Sequence, residues 1–165
     1  MNIKTSETRK KIDEFCDAYD FDSIGKLPRF SVFEKRDWKE DTRLRHGCLT
    51  WLFQGDTDLI RNFARNPLSP AGYHEVTDPQ PGDIVTYFFH SPMKGVHPEP
   101  IPTHSGMYLG DGRVRSKFRE SHVYEHPLSC VPTGYGTEVR FFRKYRVSKH
   151  YKRTNSGIEV ATFYK

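Results

Sequence analysis

Pro81-Gly82-Asp83-Ile84-Val85-Thr86-Tyr87-Phe88-Phe89 and, beyond a polar loop, His104-Ser105-Gly106-Met107-Tyr108-Leu109-Gly110-Asp111-Gly112-Arg113-Val114-Arg115-Ser116 decide how this chain folds. The turn Pro81-Gly82-Asp83 launches a β-branched and aromatic run, Ile84 to Phe89, that reads as a strand. Ser105 to Leu109 reads as a second strand. Asp111-Gly112 between two such runs is a strong hairpin signal, so the residues from Arg113 return as a third. His104 stands where the loop enters the second strand, where rigid backbone can hold its ring at the edge of a groove.

Upstream, His46-Gly47-Cys48-Leu49-Thr50-Trp51-Leu52-Phe53 is an apolar run behind a glycine, with Leu49, Leu52 and Phe53 at helical spacing. Gly47 lets the chain turn into this helix and places Cys48 in its first turn, where unpaired N–H groups and the helix dipole favour a thiolate. A buried structural cysteine is the plainer alternative. Asp56 or Thr57 then caps a helix with Leu59, Ile60, Phe63 and Ala64 inside, which Asn66-Pro67 stops. Residues 5–19 form an amphipathic helix with Cys16 on its apolar stripe, a core position. Residues 20–45 wrap without a strong period, residues 67–80 read as a surface loop, and His90 to Thr103 is a polar, proline-rich loop that either walls a groove or is an insertion. Val123 and Tyr124 suggest a short strand, residues 138–145 alternate as a longer one, and 147–165 is a basic tail with a strand-like run from Ile158 to Tyr164.

The chain has 165 residues, room for one domain that buries about two thirds of its unfolded surface. Its 26 Lys and Arg against 21 Asp and Glu give a net charge of +5, which suits an anionic surface as partner and equally a solvated basic one. Nucleic acid is disfavoured, because the charges are dispersed and no nucleic-acid motif is present. Three cysteines without a C-x-x-C pair point to free thiols in a reducing compartment. A zinc site from Cys130, His122 and His126 lacks paired spacing. No window approaches the ~18 apolar residues of a membrane span, and no signal peptide is visible. The expected location is cytoplasmic as synthesised, with a non-Sec route or lysis carrying the protein to any site outside.

A thiolate nucleophile needs a base, and the base needs a third group to fix its tautomer and ring angle. The series G-C-L-T-W-L-F, P-G-D-I-V-T-Y-F and H-S-G-M-Y-L-G-D-G-R-V resembles the NlpC/P60-type branch of the papain-like cysteine hydrolases, over Gly47 to Phe118. The resemblance implies an α+β papain-like fold with N-terminal helices packed on an antiparallel sheet. It implies one domain over 1–165: a helix and wrapping segment (1–45), a catalytic core (46–146) and a basic tail (147–165). Cys48 is then the nucleophile and His104 the base. The third position, usually a histidine or an amide or acid residue, falls on Ser116, with His126 as the alternative and His122 and Glu125 as further candidates; a solvated surface residue is the plainer reading of His122. His46, Tyr73 and Tyr108 are candidate groove-lining residues. The implied reaction is amide cleavage through an acyl-enzyme, with a peptide or peptidoglycan-like substrate and no cofactor or metal. A deamidase or acyltransferase toxin or effector would use the same dyad, and an inactive papain-like binding module would keep the fold alone.

Overall fold

A computed structural model describes residues 1, 6–35, 47–91, 99–119, 121–154 and 157–164, the stretch after 146 as backbone alone. In chain order these form α1 (Glu7–Asp17), α2 (Phe21–Ile24), β1 (Ser31–Glu34), α3 (Cys48–Leu52), α4 (Thr57–Arg65), β2 (Tyr73–Val76), β3 (Ile84–Phe89), β4 (Ile101–Gly110), β5 (Arg113–Lys117), β6 (Val123–Pro127), β7 (Glu138–Lys144), β8 (Val147–Thr154) and β9 (Gly157–Tyr164). Seven strands make one antiparallel sheet in the order β1-β6-β5-β4-β3-β7-β2, while β8 and β9 pair with each other. The protein is α+β.

Strand alternation sends neighbouring side chains to opposite faces, and both faces of the central strands are covered. Val85, Tyr87, Val114, Phe118, Tyr124, Val139 and Phe141 pack with Ile12 and Cys16 of α1 and with Phe21 and Ile24 of α2. Ile84, Phe88 and Phe142 face the other way, against Phe53 and Phe63, with Leu49, Leu52, Leu59 and Ile60 around them. That double burial explains why Ile84 to Phe88 is apolar at every position but Thr86, whose buried hydroxyl bonds Ser105, rather than alternating. Local signals set the ends of the elements. Ser6 accepts the Arg9 N–H at the start of α1, and Asp56 accepts the Asp58 and Leu59 N–H groups at the start of α4. Asp111 and Gly112, both at positive φ, turn β4 into β5.

Three expectations need correction. Residues 67–80 include β2, the sheet edge paired to β7. The second strand of the deciding stretch begins at Ile101, so the last part of the His90–Thr103 loop belongs to it. The tail is a hairpin with two strands rather than one late run. Among the described residues no helix is long and apolar enough to cross a membrane.

Candidate active site

The site forms where the β4–β5 ladder stops. Pairing runs from Gly110 opposite Arg113 to Met107 opposite Arg115 and goes no further. Tyr108 directs its N–H to Asp83 O and its C=O to the Gly82 N–H, both on the β3 side, so the odd-numbered residues Met107 and Ser105 direct theirs toward β5. Past the end of the ladder the Ser105 N–H has no strand carbonyl to meet. It donates instead to Cys48 Sγ at 3.3 Å. Helix α3, packed on this sheet by Leu49 and Leu52, thus presents its first residue to the backbone beside His104.

His104 lies on the opposite face of β4 from the Ser105 side chain, 3% exposed, in a box of aromatic rings. Tyr135 stacks on it with ring centroids 4.2 Å apart and planes at 14°, while Tyr87 and Phe118 close the box at 5.6 and 5.7 Å. One edge of the imidazole is tied to β5: His104 Nε2 is 2.9 Å from Ser116 Oγ, and Ser116 Oγ is 2.8 Å from His126 Nε2. His126 Nδ1 is 2.9 Å from Pro127 O. Ser116 and His126 are diagonal neighbours on β5 and β6, since Val114 opposes His126 and Ser116 opposes Tyr124. The sequence offered Ser116 and His126 as alternatives; the structure places both in one chain of hydrogen bonds.

The direction of that chain follows from its far end. A carbonyl only accepts, so His126 Nδ1–H donates to Pro127 O. Burial, partly opposed by this bond and aided by Arg113, pushes the His126 pKa down to about 4, so the ring is neutral and its Nε2 accepts. Ser116 Oγ–H therefore donates to His126 and accepts from His104 Nε2–H. The tautomer of His104 is assigned by this network: Nδ1 carries the lone pair. Burial, with the His126 ring adding to it, holds the His104 pKa well below its ordinary value. Burial likewise raises the Cys48 thiol, against the lowering effect of the Ser105, Leu49 and Cys48 N–H groups and the Lys117 charge. The resting pair is thiol and neutral imidazole. Among the described residues no hydrogen bond joins Cys48 Sγ to His104 directly.

Gly106 makes this approach of β4 and β5 possible. A Cβ there would lie 2.8 Å from Arg115 O, 2.8 Å from Ser116 Cβ and 2.9 Å from a Val114 methyl, closer than real side chains come. The Asp83 of the turn before β3 has a structural role, its carboxylate bridged to Arg143 Nε and Nη2 at 2.9 and 2.8 Å.

The remaining candidates are placed elsewhere. Tyr73 is buried edge-on against Phe63, and Tyr108 packs edge-on against Phe141 with its hydroxyl accepting the Gly112 N–H, so neither lines a groove at Cys48. Glu125 pairs with Arg115 and stands outside the chain of hydrogen bonds. His122, expected at the surface, is 9% exposed beside Phe21 and 3.5 Å from Asp22. His46 lies outside the described residues. Among the described residues no three His, Cys, Asp or Glu side chains gather as metal ligands. Sequence reasoning missed Tyr135 and the Ser105 N–H; an aromatic between Gly134 and Gly136 was the available signal for the first. No protein-family model, curated protein or solved structure matches this chain.

Proposed function

We propose that this chain is a papain-like cysteine hydrolase of NlpC/P60 type that cleaves an amide bond, with Cys48 as nucleophile and His104 as base. The observation that carries the reading is the one-directional chain from Pro127 O through His126 and Ser116 to His104, which leaves Nδ1 as the only basic position of a ring fixed beside the Cys48 strand gap. In the first step the Cys48 proton passes to His104 Nδ1 as Sγ attacks the carbonyl carbon. The His104 proton then goes to the leaving amine as the C–N bond breaks, giving a thioester. Water loses a proton to Nδ1 and attacks the thioester, and the departing sulfur takes that proton back. Backbone N–H groups around Cys48 are the donors nearest the developing oxyanion. Peptide or peptidoglycan-like amides are the substrate class that the resemblance suggests.

The raised thiol and the absence of a direct Cys48–His104 hydrogen bond among the described residues favour a second reading, a binding module that keeps the fold without turnover. One experiment separates them. Iodoacetamide alkylation of Cys48 is followed by intact mass at pH 7 in a Cys16→Ala, Cys130→Ser background, with and without His104→Ala. A dyad requires His104→Ala to slow the reaction at least about tenfold. Equal rates in the two proteins would leave the binding module as the better account.

A further inference from the structure

Tyr135 belongs to a segment that the N-terminal helix grips. Arg9 of α1, fully buried, reaches across to Val131 O at 2.9 Å through Nε, and to Pro132 O at 3.0 Å and Gly136 O at 2.6 Å through Nη2. Asp13, one helical turn on, accepts the Thr133 N–H at 3.1 Å. Between these anchors Tyr135 is fixed at both ends. Its carbonyl accepts Thr103 Oγ1 at 2.6 Å, and its hydroxyl accepts the Arg119 N–H at 3.0 Å. Thr103 is the residue before His104, so the same contact that pins the Tyr135 backbone pins the entry to the histidine.

What this grip holds in place is a ring parallel to the His104 imidazole. Tyr87 and Phe118 meet that imidazole at 38° and 62°, and only Tyr135, at 14°, lies flat against it. Rotation about the Cβ–Cγ bond would put Cδ2 where Nδ1 stands and Cε1 where Nε2 meets Ser116, and must sweep the imidazole out of its plane into the Tyr135 ring. The flip would break the Nε2–Ser116 hydrogen bond and with it the link that fixes the His104 tautomer, leaving both nitrogens free to carry the proton. We propose that Tyr135 is a positioning residue, a flat wall clamped by Arg9 and Asp13 of α1 that blocks the flip of His104, keeping Nε2 on Ser116 and Nδ1 as the basic nitrogen. This role rests on the reading of Cys48 and His104 as nucleophile and base. It also gives α1, remote in sequence from both, a part in the chemistry.

The test compares Tyr135→Leu, which removes the ring, with Tyr135→Phe, which keeps it and loses only the hydroxyl. Long-range proton–nitrogen spectra report the His104 tautomer, and iodoacetamide reports Cys48 at pH 7 in the background lacking the other two cysteines. Tyr135→Leu should mix the two His104 nitrogen shifts and slow alkylation by about tenfold, while Tyr135→Phe stays within about twofold of the parent and retains the shifts. A structural role alone would lower thermal stability in Tyr135→Leu without touching the tautomer. If Tyr135→Leu keeps both the shifts and the rate while His104→Ala slows alkylation, the positioning role is wrong and the dyad stands. If His104→Ala has no effect, the dyad itself is wrong and the role falls with it. Should Tyr135→Leu fail to fold, Thr103→Val loosens the same wall from the β4 side, and an unchanged tautomer and rate there would overturn the proposal.

Discussion

Replacing His126 with glutamine should remove much of the acid sensitivity of this fold. His126 is fully buried between the Phe30 and Phe118 rings, with Ser116 on one ring nitrogen, Pro127 O on the other and the Arg113 charge nearby. Its pKa falls from 6.5 to about 4 on folding, because burial penalises the imidazolium. Below pH 6.5 the unfolded chain therefore binds a proton that the folded one refuses. The stability from this group is fully present above pH 6.5 and is lost as pH falls toward 4. The span of 2.5 units, the difference of those two values, corresponds to about 3 kcal/mol in total and about 2 kcal/mol already at pH 5. Against a whole-domain stability of roughly 5–15 kcal/mol this is a large fraction. His104, also held low, adds in the same direction. Asp83 does not confuse the measurement. Burial would raise its carboxyl, yet the Arg143 and Gln80 bonds hold it low, so its contribution is lost only below the ordinary carboxylate range near pH 4.

Urea unfolding followed by tryptophan fluorescence at pH 7.5, 6.5, 5.5 and 5.0 makes the comparison. The wild type should lose at least about 2 kcal/mol over that range, and His126→Gln should lose about 2 kcal/mol less, whatever its stability at pH 7.5. Glutamine keeps an amide donor and acceptor but cannot titrate. An identical loss in both proteins would refute the neutral, buried assignment of His126, and with it the direction assigned to the hydrogen bonds that reach His104.

Ser116→Ala leaves His104 Nε2–H and His126 Nε2 buried and unpaired, so it should cost about 1–3 kcal/mol per stranded group by urea titration at pH 7.5, and it should also slow Cys48 alkylation. Stability within about 0.5 kcal/mol of the parent would show that the serine hydroxyl is not the link. Gly106→Ala drives a methyl to within 2.8 Å of Arg115 O and Ser116 Cβ and should cost about 1–3 kcal/mol, with amide shifts concentrated on β4 and β5. An unchanged melting temperature and spectrum would place the strands further apart than described.

The parts of this architecture that the sequence carried openly are those whose local chemistry has one solution. Ile84 to Phe89 is a strand from its side chains alone, Asp56 is a cap, and Asp111-Gly112 is a turn. Other parts depended on partners remote in the chain. Tyr73 to Val76 is a strand because β7 gives it an edge to pair with, while Pro70 and Pro79 around it signal a loop. Ile101 and Pro102 extend β4 despite a proline because Pro102 sits opposite Phe88 where the register shifts, a place that tolerates the missing N–H. A serine at position 116, taken as a single residue, carries no sign of its strength as a third member. A hydroxyl both donates and accepts, so its strength depends on what lies behind it, and His126 is ten residues away on the next strand.

A chain that ends on Pro127 O differs in kind from one that ends on a carboxylate. A carboxylate would attract a proton on His104 and favour a thiolate–imidazolium pair at rest. Here the last acceptor is an amide carbonyl, too weak a base to take a proton, and both imidazoles are neutral. When His104 receives the Cys48 proton in the proposed reaction, the added charge can be shared along Ser116 and His126 as stronger hydrogen bonds, and it goes no further than the His126 ring, because Pro127 O is too weak a base to take a proton. In that reaction it returns through Nδ1, toward the sulfur or the leaving amine. Burial keeps the Cys48 thiol protonated at rest and, among the described residues, no carboxylate stands behind His104 to draw a proton onto it, so the proposed reaction runs by general-base catalysis rather than from a pre-formed ion pair.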